Sequence, residues 1–400
     1  MKKTALILAI AMAASFATGE SAIKQFNDLD YGTLSGRLQS LSMYRDYEAG
    51  NNNHATTLGL QLDYRSPTKS GWSAGASYVG AGVLDSMVDG ESSPGDRLLG
   101  NGRVNLLNEA YLSYHMEALG LTNTTAYLGR RAINGEVFRY DDFRQKKRAI
   151  EAVMIESAEF HKTRIIAGHA WEMSNWIDAG NLWKFDNFDN YGTDGVTWAE
   201  IVNNCVEDLE VAVFDAMAQD LANLIGARAK WSLSEDTAVL AYLRHERDIG
   251  DGADLESNAF GLSVAQAVGD VKLEGGFFGV GGDSMAFQEV TTGINHALGS
   301  SMMIYSGQFS GGAETLYLKA VTKLKETGTV LYGLYNYTLH DKGKTDLRQA
   351  QELNIVIKQS CPVFDNLTVA FKGGIGTRDG VNGDSDTTAT DARLFVTYTF

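Results

Sequence analysis

Apolar segments long enough to form a membrane-spanning helix are absent from this chain of 400 residues, although 44% of its residues are hydrophobic. A spanning helix needs about 20 consecutive apolar residues. If the protein resides in a membrane, it must cross as strands. Strands are stable in lipid only as a closed barrel, because every backbone group there needs an internal partner.

Proline is scarce, with three residues against 43 glycines, and none of the three interrupts a segment that could form a strand. Pro67, Pro94 and Pro362 all lie in segments typical of connections between strands. Proline removes a donor from a strand ladder. Its absence from the alternating segments therefore favours many long, uninterrupted strands.

Basic residues are outnumbered, with 34 Lys and Arg against 50 Asp and Glu, which gives a formal charge of −16. The charge becomes about −18 once Lys2 and Lys3 are removed with a signal peptide. A chain this acidic excludes nucleic acid as a partner. The two cysteines, Cys205 and Cys361, fall in turns on opposite sides of the predicted structure, so no disulfide is expected.

Catalytic and cofactor motifs are also missing. The chain has no Gly-x-Ser-x-Gly sequence, and its seven histidines show no metal-binding spacing. We therefore predict neither an enzyme nor a resident cofactor. One weak Ca²⁺ candidate combines oxygen ligands with glycines; the alternative is a solvated acidic loop, since no Glu closes the site. Its ligands would be Asp379, Asn382, Asp384 and Asp386.

The N-terminus has the features of a secretory signal peptide. Lys2 and Lys3 precede an apolar run at 5–14, and small residues at 15–19 allow cleavage after Ala17 or Gly19. We expect residues 1–19 to be removed and residues 20–400 to form one exported domain.

Alternation of apolar and polar residues is the main structural signal, and it repeats from Gly32 to the end of the chain. In the segment 57–64, leucines at alternate positions would face lipid, while Thr57, Gln61 and Asp63 would face water. Seventeen segments are found in this way, and 195–202 supplies an eighteenth, because termini on the same side require an even number. The predicted strands are 32–45, 54–65, 71–81, 104–115, 121–131, 149–159, 163–173, 195–202, 209–216, 221–233, 237–248, 257–267, 271–280, 313–324, 329–340, 350–359, 367–376 and 390–400.

Short connections at 233–236, 267–270 and 325–328 contrast with long ones at 82–103, 131–148, 281–312 and 377–390. This asymmetry is typical of short periplasmic turns and long external loops. We predict an all-β fold, a transmembrane antiparallel β-barrel of about 18 strands, with 16 as the alternative. Its location would be the outer membrane of a Gram-negative bacterium, in contact with lipid and lipopolysaccharide.

The last strand ends on Phe400, with Tyr398 two residues before it. This ending resembles the assembly signal of outer-membrane barrels. It implies that the barrel assembly machinery is a partner.

The segment from Leu128-Gly129-Arg130-Arg131 through Asp141-Asp142-Phe143-Arg144 to Ile150-Glu151-Ala152 resembles the OprD-type, or outer-membrane carboxylate, porins and the related Opr-like major outer membrane porins. The resemblance implies that loop 131–148 folds inward and constricts a pore; the alternative is an exposed loop. The implied constriction residues are Arg131, Arg139, Asp141, Asp142, Arg144, Lys146, Lys147 and Arg148.

Alternation also directs a set of cations toward the lumen, since Arg or Lys facing lipid at mid-membrane costs about 2–4 kcal/mol. The resemblance implies that they guide carboxylates; the alternative is that they pair with lumen acids such as Asp63, Glu109, Glu274 and Glu352. These cations are Arg37, Arg228, Lys230, Lys319, Lys323, Lys358, Lys372 and Arg393.

The sequence thus predicts a porin, a passive diffusion channel for small hydrophilic solutes and ions that favours anionic, carboxylate-bearing nutrients. The alternatives are a structural or adhesive surface protein and, less favoured, an outer-membrane hydrolase. Monomer and homotrimer both stay open. We expect the charges of loop 131–148 to set ion preference more strongly than the net charge does.

Overall fold

The computed structural model describes residues 23, 24, 27, 30–47, 53–84, 103–140, 144–174, 185–188, 192–250, 254–287, 307–340, 349–379 and 386–400. Within these ranges 19 strands form one antiparallel sheet. Two short 3-10 turns, Met116–Leu119 and Gly307–Phe309, accompany them. No helix of the described residues is long and apolar enough to cross a membrane.

The strands of the wall are neighbours in the sheet in the order in which they occur in the chain. The strands of the sheet are β1 Thr33–Tyr47, β2 Asn53–Arg65, β3 Trp72–Val83, β4 Arg103–His115, β5 Thr124–Arg131, β6 Ala149–Ser157, β7 Thr163–Ser174, β8 Asp186–Asn187, β9 Val196–Asn203, β10 Leu209–Ala218, β11 Ala222–Ser232, β12 Thr237–Asp248, β13 Glu256–Val268, β14 Val271–Gly282, β15 Ala313–Lys323, β16 Val330–His340, β17 Gln349–Ser360, β18 Leu367–Arg378 and β19 Thr387–Thr399.

The sheet closes on itself because β1 pairs with β19 as well as with β2. β8 has only two residues and pairs at the end of β7, which also pairs directly with β9. Among the described residues, 18 strands therefore form the wall. The prediction of an 18-stranded antiparallel barrel is confirmed, and the alternative of 16 is wrong.

Each strand has one apolar outer face and one mixed inner face. On β15, Leu316 and Leu318 are 59% and 58% exposed, whereas Thr315 and Tyr317, on the opposite face, are buried. The same alternation exposes Leu353 on β17. An exposed apolar outer face with a covered polar inner face is typical of barrels surrounded by lipid.

The interior is partly filled by buried apolar side chains. On the β10–β14 side, the rings of Phe214, Tyr242 and Phe278 follow one another at centroid separations of 6.1 and 6.5 Å. Phe309, from the connection between β14 and β15, packs edge-on against Phe278 at 5.7 Å. On this side of the barrel, a connection that folds back over the inner face removes apolar area from water.

Cys205 and Cys361 lie in two different turns at the same end of the barrel and are both free. We expect each thiol to react with iodoacetamide in the folded, unreduced protein. Intact-mass measurement should show two added groups per chain. A single mass that rises by two hydrogens on reduction would contradict this strand arrangement.

Candidate functional site in the barrel interior

The connection 132–148 between β5 and β6, called here the inner loop, begins with a tight hairpin. The Gly135 N–H donates to the carbonyl of Phe138 at 2.7 Å, and the Tyr140 N–H donates to the carbonyl of Ile133 at 2.8 Å. Four residues thus reverse the chain. The hairpin tip, residues 135–138, is directed at the inner face of β9 to β11.

The tip is held by a carboxylate of the wall. One oxygen of Glu200 on β9 accepts the N–H groups of Glu136 at 2.7 Å and Val137 at 3.1 Å. Glu136 in turn forms an ion pair with Arg228 on β11 at 2.7 Å. The Phe138 ring packs edge-on against Trp198, with the centroids 4.9 Å apart.

The end of the inner loop contacts different strands. The Gln39 side chain on β1 donates to the Arg144 carbonyl at 2.6 Å, and Arg37 donates to the Gln145 carbonyl at 3.1 Å. The Gln145 amide donates to the Thr57 hydroxyl on β2 at 2.6 Å. Gln145 is buried among these contacts, and only 2% of the residue is exposed.

The two contact regions lie on opposite sides of the barrel. β1 is the first and β11 the tenth of the 18 wall strands in order around the closed sheet, so half of the circumference separates them. A segment that contacts both walls has to cross the interior. The described residues of the inner loop, 132–140 and 144–148, therefore lie inside the barrel.

The predicted constriction residues occupy different environments. The guanidinium of Arg131 lies 3.7 Å from the Tyr127 ring centre, and the Lys147 ammonium lies 4.4 Å from that of Tyr140. Lys146 is fully buried and Arg148 nearly so, whereas Arg144 is half-buried. Arg139 lines a cavity. Asp141 and Asp142 lie outside the described residues.

That cavity, of about 310 Å³, lies between the hairpin tip and the wall. Five cations and two carboxylates contribute to its lining, which makes it net positive inside a chain of formal charge −16. Its charged residues are Glu136, Arg139, Arg228, Lys230, Lys272, Glu274 and Lys319.

Part of the predicted cation ladder is paired with acids. Arg228 contacts both Glu136 and Glu210 at 2.7 Å, and Lys319 forms an ion pair with Glu274.

Arg393 donates two hydrogen bonds to the carboxylate of Asp391, at 2.7 and 2.9 Å. That buried carboxylate also accepts from Arg45 on β1. Wall acids therefore neutralise some of the ladder.

The remaining ladder cations have other surroundings. Arg37 contacts the inner loop, and the Lys372 ammonium lies 5.0 Å from the Phe395 ring centre. Lys230 lines the cavity. Lys323 and Lys358 are exposed near the short-turn ends of β15 and β17, and neither has an acidic partner within the described part of the chain.

Sequence reasoning missed three residues of this interior. Lys272 has the same parity as Glu274 on β14, so alternation does assign it to the inner face. Asp391 and Glu200 have inward parity too. Alternation indicates which face a carboxylate occupies, but not which distant group it contacts.

The proposed assembly residues, Tyr398 and Phe400, lie at the end of β19 and do not line the cavity. Phe400 pairs with Gly36 through two backbone hydrogen bonds of 2.8 and 3.0 Å, and its ring lies 6.3 Å from that of Tyr398. Of the Ca²⁺ candidate, Asn382 and Asp384 lie outside the described residues. Within the described residues, no group of three or more His, Cys, Asp or Glu side chains is arranged to hold a metal ion.

Gly135 allows the Glu200 carboxylate to approach the hairpin tip, since a Cβ there would lie 2.3 Å from a carboxylate oxygen. We expect Gly135→Val to displace the tip at a cost of about 1–3 kcal/mol. Single-channel recording should show a larger, noisier conductance. Gly333→Val is the control, because a Cβ at Gly333 has open space around it. Wild-type traces from Gly135→Val would contradict the role of this close contact.

A closed barrel of 18 antiparallel strands, with an apolar outer face and a loop folded into its interior, is the architecture of the bacterial outer-membrane porin class. No family model and no curated protein sequence matches the chain. The similarity of this chain to known proteins is a similarity of three-dimensional structure.

Three solved structures show that similarity. The chain is similar to a BenF-like porin from Pseudomonas fluorescens Pf-5, with a TM-score of 0.78 and 14% identity. It is also similar to OccK2 (OpdF) of Pseudomonas aeruginosa in complex with glucuronate, with a TM-score of 0.75 and 15% identity. The third is Pseudomonas aeruginosa OpdK with vanillate, with a TM-score of 0.73 and 15% identity. Each alignment covers 92% of this chain and 98% of the other. The chain has the fold of these porins.

Proposed function

We propose that this protein is an outer-membrane porin, a non-enzymatic channel through which small hydrophilic solutes and ions diffuse passively. The observation that carries the proposal is the inner loop, which contacts opposite walls and borders a cation-rich cavity. A loop in this position narrows the path through the barrel. Solutes then pass within contact distance of Arg139, Lys230 and Lys272.

The preferred solutes under this proposal are anions that carry a carboxylate. Charges on exposed loops are screened over about 8 Å at physiological salt, whereas cavity charges act on a solute at short range. A surplus of cations there outweighs the negative net charge of the chain. Vanillate and glucuronate, present in two of the similar structures, are both carboxylates and support this choice.

The location follows from the same proposal. Residues 1–19 direct export and are cleaved, and the barrel resides in the outer membrane of a Gram-negative bacterium. Its exposed outer leucines contact lipid and lipopolysaccharide. The barrel assembly machinery recognises the terminal strand that ends on Phe400.

Reconstitution in planar lipid bilayers tests the proposal. We expect stepwise conductance from the purified, folded protein and none from the same protein after heat denaturation. In liposome swelling assays, benzoate should permeate faster than a neutral or cationic solute of equal size. A folded barrel that gives no conductance would contradict the channel and leave a structural surface protein or a hydrolase as the better reading.

A further inference from the structure

A second connection has a described end, 283–287, that is held to the inner wall by the same kind of contact that holds the inner loop. It joins β14 to β15, and its described ends are 283–287 and 307–312. One oxygen of Glu246 on β12 accepts the N–H groups of Ala286 at 2.6 Å and Phe287 at 3.2 Å. Glu200 and Glu246 thus each cap two consecutive backbone donors of a connection.

Arg244 also forms an ion pair with the other oxygen of Glu246, and no ion pair of Glu200 is found among the described residues. The two caps nevertheless share one feature. Two residues before each glutamate, on the same strand face, lies a side chain that contacts an aromatic ring of the captured segment. Trp198 packs against Phe138. The Arg244 guanidinium lies 5.9 Å from the centre of the Phe287 ring, and both rings are buried.

We propose that Glu200 and Glu246 are positioning residues that fix the two connections to the inner wall and thereby set the dimensions of the pore. Both carboxylates are almost completely buried, with 2% and 0% of the residue exposed. A buried carboxylate is costly unless donors satisfy it. The paired N–H groups supply such donors, and a charged acceptor makes these hydrogen bonds stronger than neutral ones.

The captured segment of the second connection is hydrogen-bonded to the other described end of the same connection. The Met285 N–H donates to the Phe309 carbonyl at 3.3 Å, and the Gly311 N–H donates to the Ser284 hydroxyl at 3.0 Å. Loss of the Glu246 cap would therefore loosen both ends of this connection. Loss of the Glu200 cap would loosen the hairpin of the inner loop.

A pair of buried cysteine reporters can separate the two anchors. In a background with Cys205→Ser and Cys361→Ser, Val137→Cys reports on the inner loop and Met285→Cys on the second connection. Both positions are buried, at 2% and 5% exposure. We expect maleimide to label each slowly in the otherwise unchanged barrel.

Three alanine variants then remove one inner-wall carboxylate each. We expect Glu200→Ala to raise the labelling rate at position 137 by about tenfold or more, because two charge-assisted hydrogen bonds are lost, with little change at 285. Glu246→Ala should do the reverse. Glu274→Ala is the control, since the described contacts of Glu274 are with the side chains of Tyr317 and Lys319. Glu200→Gln should restore slow labelling, because an amide oxygen still accepts.

Equal acceleration at both reporters in all three variants, or no acceleration in any, would overturn the proposal. Hydrogen exchange in the unmodified protein gives a second measurement that needs no variant. The amides of residues 136, 137, 286 and 287 should exchange slowly; rapid exchange there would also overturn it. The effect on pore size rests on the proposed function, but labelling and exchange do not, so failure of the anchors can be told from failure of the channel.

Discussion

Deletion of Phe400, or its replacement by Asp, is expected to reduce membrane-inserted protein at least about tenfold while export across the inner membrane continues. Phe400 forms the end of the contact between β19 and β1, where its backbone exchanges two hydrogen bonds with Gly36. Its ring rests on that glycine, because a Cβ at Gly36 would lie 2.7 Å from the ring. Deletion removes those hydrogen bonds and the ring, and Asp replaces the ring with a charge at the end of this contact.

The measurement is the amount of heat-modifiable protein in outer-membrane fractions, compared with the amount in the periplasm. Phe364→Asp is the matched control, since Phe364 lies in the turn between β17 and β18 and is 46% exposed. We expect that variant to insert normally. Normal insertion of the Phe400 variants would show that neither the terminal aromatic ring nor the end of the contact between β19 and β1 is needed for assembly.

The second large effect is expected from the cavity cations. Simultaneous replacement of Arg139, Lys230 and Lys272 by Gln should shift the reversal potential toward cation preference. The shift should be on the order of 10 mV or more, against the ~59 mV that marks ideal selectivity in a tenfold gradient. The physical reason is that the lining loses its surplus of positive charge: five cations and two carboxylates become two cations and two carboxylates.

Asp384→Asn with Asp386→Asn provides the comparison, because it changes net charge by two units in the opposite direction, in the connection between β18 and β19. We expect it to leave the reversal potential nearly unchanged. Lys146 is not included in the test set, since it is fully buried and lies away from the cavity lining. Shifts of comparable size and opposite direction from the two sets of substitutions would mean that net charge, and not the cavity, selects the ions.

The barrel could be predicted from sequence because lipid on one face and water on the other impose a period of two on every strand. The predicted segment 237–248 coincides with β12, and 163–173 differs from β7 by one residue. The same period assigned Lys230 and Lys319 to the inner face. Strand number followed from the requirement that both termini lie at the same end.

The interior contacts could not be predicted in this way. A loop side chain has no period. The density of cations around Lys146 favoured a loop that lines the pore, but it did not indicate that Lys146 is completely buried. Glu200 meets a backbone group 64 residues earlier in the chain, and no local pattern indicates such a partner. β8 was missed because a pair of residues is too short to show alternation.

The seam between β1 and β19 has a consequence for the order of folding. Arg45 and Asp391 are 346 residues apart in sequence, yet the half-buried arginine and the buried carboxylate meet across it. Contacts between such distant residues form slowly, because a long chain must first be closed into a loop. Until the last strand arrives, β1 presents an unpaired edge that can pair with other chains. The edge of β1 therefore has to be protected until the chain has reached the membrane. The charged cluster at the seam forms only when β19 pairs with β1, which is the step that covers this edge.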